Sequence, residues 1–145
     1  MNQVEGCGSI VDEPTWALLL TDPLEIEAAK QYWRRITTEM RERQTLSVTN
    51  GHAIQRLVLA YVVFDRSSRE VAESGAVTKP KRGSSTAIAR LSPHFTAMRE
   101  AANDAGTLEA ELGLSPRRRA GVSKIDKRPQ RRTGADAYLK PVANA

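Results

Sequence analysis

The 145-residue sequence predicts a mainly α-helical fold: two long antiparallel helices, a small β-hairpin, a third helix and a short C-terminal helical turn. Three observations predict the helices. Apolar residues recur at spacings of three and four along successive segments, cap-and-proline pairs stand where such segments open, and glycines stand where they close.

The first helix opens at Asp22, which can cap, with Pro23 in the first helical position and Glu25 placed as in a capping box. Ile26, Ala29, Trp33, Ile36 and Met40 follow at spacings of 3, 4, 3 and 4, one apolar stripe. Its other faces carry Lys30, Arg34, Arg35, Arg41 and Arg43 among glutamates. They read as a solvated surface, with DNA contact by some of these arginines as the sharper alternative. The run "LVLAYVVF", residues 57–64, is β-branched and aromatic enough for a buried strand. However, Ile54, Leu57, Tyr61, Phe64, Ser68 and Val71 hold helical spacing through charged residues on both sides, so a second long helix is expected. Apolar almost all round its centre, it needs cover from other helices or a second subunit.

Helical periodicity stops in "SGAVTKPKRGSSTAIARLSPH". Gly75 suits a helix C-cap, and β-like pieces around Val77 and from Thr86 to Ala89 flank the turn "KPKRGSS", so a hairpin is expected over residues 76–90. Its tip carries Lys79, Lys81 and Arg82 beside Gly83, a combination that lets a chain approach phosphates or else serves only as a solvated basic turn. Ser92 and Pro93 open the third helix. Phe95, Met98, Ala102, Ala105, Leu108 and Leu112 line one face, Gly106 weakens the middle by about 1 kcal/mol relative to alanine, and Gly113 ends it.

Charge is unevenly distributed. Residues 1–14 carry net −3, residues 15–114 net +1 and residues 115–145 net +7. The expected organisation is a disordered N-terminal segment over 1–20, a helical core over 21–121 and a basic flexible tail over 122–145. The tail has few large apolar residues and cannot fold alone; it is either a solubilising extension or an arm for a polyanion. Lys124, Lys127, Arg128, Arg131 and Arg132 are its candidate DNA contacts.

Several chemistries lack their residues. His52 and His94 have neither the spacing of a metal pair nor a nucleophile partner, and the single cysteine, Cys7, offers no zinc cluster or disulfide framework. "PKRGSST" has no lysine after its glycine and is not a phosphate-binding P-loop. No paired-carboxylate site can be picked out. No catalytic residue, metal or cofactor is therefore expected, and no stretch approaches the roughly 20 apolar residues of a membrane span.

The most specific stretch is "ELGLSPRRRAG", residues 111–121. Ser115 and Pro116 again suit a helix start, which puts Arg117, Arg118 and Arg119 in a first turn, where each cation costs a few tenths of a kcal/mol up to about 1. In order, "YWRRI" in a first helix, "LVLAY" in a second, a glycine-containing hairpin, "LSPH" opening a third helix and this closing motif resemble the small terminase subunit of tailed double-stranded DNA bacteriophages. The resemblance spans residues 21–121, with Leu112, Gly113, Leu114, Pro116, Arg119 and Ala120 in place.

That resemblance implies a non-enzymatic protein of the host cytoplasm, not expected in the mature virion. It would form a ring of about nine subunits, recognise viral double-stranded DNA, and recruit or regulate a large terminase subunit that carries the ATPase and nuclease. Some family members carry an N-terminal helix-turn-helix domain; the segment before the first helix is too short for one here. DNA contact is accordingly expected from Lys79, Lys81, Arg82, Arg117, Arg118 and the tail. Arg119 is expected to be structural, paired with Glu109 or Glu111. The alternative from another class is a dimeric helical transcriptional regulator. An RNA-binding module ranks last for want of an aromatic platform.

Overall fold

The computed structural model describes residues 11–79 and 88–116, in which helix α1 (Pro23–Glu42), helix α2 (Gly51–Ser74), strands β1 (Val77–Thr78) and β2 (Arg90–Leu91), and helix α3 (Pro93–Glu111) follow in order. The mainly helical fold read from the sequence is the fold found. Contacts between Glu25 and Arg66 and between Tyr32 and Asp65 make α1 and α2 antiparallel. Tyr61 with Glu109, and the backbone bond from Ser92 to Ala76, do the same for α2 and α3. α2 is thus the central helix.

Local chemistry sets the ends of α1 and α3. The Asp22 side chain accepts from the Leu24 amide at 2.9 Å and Ser92 from the His94 amide at 3.3 Å, each followed by proline in the first turn. Glu25 does not complete a capping box. It lies buried against α2, as described below. α3 ends as its glycine predicts: Gly113 has φ 71° and is buried, and the Leu114 amide turns back to the Glu109 carbonyl at 2.8 Å.

The core forms along α2, with α1 and α3 on either side and the N-terminal segment over one end. Ala29, Trp33, Ile36 and Met40 of α1 meet Ile54, Leu57, Val58 and Val62 of α2, while Ala105 and Leu108 of α3 and Leu112 close the cluster. The buried line on α2 is rotated from the one expected: Val58 and Val62 are buried, Tyr61 is half-buried, and Phe64 is 37% exposed. Two flanking helices bury a wider arc than one stripe, which favours the β-branched residues and leaves Phe64 at the edge. On α3, Ala101, Ala105 and Leu108 are buried and Ala102 is exposed, so Ala101 takes the place on the buried line that the sequence assigns to Ala102. Much of the cover that α2 needs is therefore found within the chain.

The N-terminal segment is not loose over its described part. Residues 16–18 form a short 3-10 turn, Trp16 is 2% exposed, and its ring meets Trp33 edge-on with centroids 5.9 Å apart. Its indole N–H donates to Glu13 at 2.9 Å. Val11 reaches the start of α2 so closely that a Cβ on Gly51 would lie 2.8 Å from it. A core with only 5% aromatic residues in the whole sequence gains much of its filling from this one tryptophan. Residues 1–10 lie outside the described part.

The hairpin pairs Val77 with Leu91 and Thr78 with Arg90, antiparallel, so its second strand lies just beyond the expected Thr86–Ala89 piece. Residues 80–87 fall outside the described part, as does the C-terminal helical turn beyond Pro116. Among the described residues, no helix is long and apolar enough to cross a membrane.

Candidate nucleic-acid interface

The candidate cations leave the domain at two separated places. Lys79 is exposed immediately after β1, where the hairpin projects beside the start of α3. Lys81 and Arg82 lie outside the described residues. At the other end of α3, Leu112 is buried, Leu114 packs against the core and Pro116 is exposed. Arg117, Arg118, Arg119, Lys124, Lys127, Arg128, Arg131 and Arg132 follow and are likewise outside the described residues. The 19 residues of α3 separate the two departure points by about 28 Å. Lys79 and Pro116, the described residues nearest the two groups of candidate cations, thus stand at opposite ends of α3.

The foot of the motif is fixed by α1. Arg43 donates to the Gly113 carbonyl at 3.3 Å and also pairs with Glu39 one turn back. The left-handed glycine turn and this arginine together fix the backbone at the end of α3. Of the two carboxylates expected beside Arg119, Glu109 accepts from the Tyr61 hydroxyl at 2.5 Å and Glu111 is exposed; Arg119 itself lies outside the described residues.

Two polar links between helices have no signature in the sequence. Glu25, 6% exposed, takes a two-point contact from Arg66 at 2.7 and 2.5 Å, with Arg69 at 3.7 Å. Hydrogen bonding from Arg66 holds the Glu25 carboxyl below its ordinary value against the opposing effect of burial. The second link is a tyrosine pair. Tyr32 donates to Asp65 at 2.6 Å, the Tyr32 and Tyr61 rings stand 5.1 Å apart, and Tyr61 bonds Glu109, so all three helices are tied together. The Asp65 contact raises the Tyr32 hydroxyl above its ordinary value; burial, then the Glu109 contact, raises that of Tyr61. Both remain neutral donors. The Arg35 guanidinium lies 5.5 Å from the centre of the Tyr32 ring.

These groups hold the scaffold and do not resemble a reaction centre. Among the described residues, no three His, Cys, Asp or Glu side chains are grouped to hold a metal. His52 and His94 are exposed. The described residues form a small helical scaffold, and in sequence the candidate cations follow the hairpin strand before its third helix and the glycine turn after it. The sequence profile of the phage terminase small subunit matches residues 29–128, from within α1 through the arginine motif and into the basic tail, and the chain belongs to that family. No curated protein and no solved structure matches it.

Proposed function

We propose that this chain is the DNA-recognition and regulatory subunit of a packaging terminase: a homo-oligomeric ring that binds viral double-stranded DNA and recruits or regulates a large subunit bearing the ATPase and nuclease, so that the genome enters the procapsid. The family match over residues 29–128 carries this reading. It acts in the host cytoplasm and is absent from the mature virion. Two features support a DNA role: the net +7 of residues 115–145, and the exposure of Pro116 where that stretch begins. Repeated around a ring, individually weak phosphate contacts add to useful affinity.

In this reading Arg117, Arg118, Lys124, Lys127, Arg128, Arg131 and Arg132 contact phosphate at one end of the domain, and Lys79, Lys81 and Arg82 at the other. Arg119 is structural. The test is DNA binding by the Arg117→Ala/Arg118→Ala variant across a salt series. Affinity should fall and the slope of log affinity against log salt should flatten by roughly one for each phosphate no longer neutralised, with the native mass unchanged. Loss of assembly with these two changes would reject the assignment.

A further inference from the structure

α1 and α3 flank α2 and are each antiparallel to it, so they run parallel to one another. Their exposed charges differ in sign. α3 exposes Glu100, Asp104 and Glu111, which make no ion pair among the described residues. Arg56 of α2 lines the groove beside Glu100 and Asp104 without pairing to either. α1 presents Lys30, Arg34 and Arg41, with Arg34 and Arg41 exposed and Lys30 making only a local contact to Glu27.

The two rows have the same spacing, four residues and then seven, and both steps return to nearly the same face of a helix. Each row is about 16 Å long. Laid parallel, Lys30 faces Glu100, Arg34 faces Asp104 and Arg41 faces Glu111. Laid antiparallel, the ends still match but Arg34 meets Thr107. The rows cannot meet within one chain because α2 lies between their helices. A second copy, rotated about an axis along the helices, brings its α1 to this α3 in the parallel sense.

We infer that neighbouring copies join through the exposed acidic row of α3, at the edge of its groove with α2, on one and the basic row of α1 on the next, parallel and in the register Lys30–Glu100, Arg34–Asp104, Arg41–Glu111. The contact rests on the ring reading above. It uses different surfaces on the two copies, so it is head-to-tail and closes into a ring when the rotation allows. Exposed ion pairs add little affinity each; their role here is to fix register and reject the antiparallel alternative.

Native mass spectrometry of charge-reversed full-length chains tests this. Arg34→Glu/Arg41→Glu alone and Asp104→Lys/Glu111→Lys alone should each fall to the 16.0 kDa monomer with helical circular dichroism retained. Mixed in equal amounts, they should recover multimers in which the two variants alternate, closed where the subunit count is even and open where it is odd, because each variant's α1 then complements the other's α3. Register is read within one chain: Arg34→Asp should be rescued by Asp104→Arg and not by Glu111→Arg. Wild-type mass in either reversed variant alone, or no recovery from folded variants on mixing, overturns the interface. A wild-type chain that is itself monomeric overturns the ring reading beneath it, so the two failures are distinguishable.

Discussion

Trp33→Ala is expected to remove about 3–5 kcal/mol of stability, a large share of the roughly 5–15 kcal/mol that holds an ordinary domain folded. Trp33 is 4% exposed in the middle of α1, and its ring closes the core against Trp16. Few other residues could fill the space. The sequence holds two tryptophans and two phenylalanines, and Phe64 is partly exposed. Truncation leaves a large cavity between the N-terminal turn, α1 and α2, because packed helices collapse only partly around a missing side chain. Urea denaturation followed by circular dichroism measures the loss. Trp33→Phe should retain much of the stability, and a loss below about 1 kcal/mol for Trp33→Ala would contradict this account of the core.

Glu25→Gln is expected to be the largest single polar loss, roughly 1.5–3 kcal/mol near neutral pH. The lower half of that range applies because the Arg66 side chain is 52% exposed and water partly screens it. The carboxylate itself is buried, and its removal leaves Arg66 and Arg69 without the charge that joins the start of α1 to the later half of α2. The pH dependence has a definite sign. The folded value of Glu25 lies below its ordinary 4.5, so its contribution is fully present above that value and is lost as pH falls through the folded value. The stability gap between wild type and Glu25→Gln should therefore be widest near neutrality and close in acid. A gap that stays constant through the acid range would show that Glu25 acts through packing alone.

Local signals are legible in the sequence and distant ones are not. Asp22–Pro23, Ser92–Pro93 and Gly113 act within a few residues of themselves, and the structure uses them as read. The α1 stripe is also legible, since one buried face against one neighbour has a simple period. On α2 the period blurs because two helices cover it, and helical spacing alone places Phe64 in a core whose edge it occupies. Glu25 sits where a capping box would place it, and nothing local reveals that its partner is Arg66 on the next helix. Trp16 is hidden in an acidic, proline-bearing segment whose composition suggests disorder, although one large aromatic can order a short stretch by docking.

The candidate DNA contacts are legible as charge and not as a site. A run of arginines is plain in the sequence; the turn at Gly113 that precedes it is tied to Arg43, a contact across 70 positions that no local pattern reveals. The same holds for the acidic and basic rows on α3 and α1. Each reads as an ordinary solvated helix face until the parallel course of the two helices gives their common spacing a consequence.

The native mass of the purified full-length chain, by light scattering or native mass spectrometry, tests the central reading most directly. A packaging subunit built as proposed should give one closed species several-fold heavier than the 16.0 kDa chain, on the order of eight to ten copies. A stable dimer or a monomer across the working concentration range would contradict the ring and with it the proposed mode of presenting DNA.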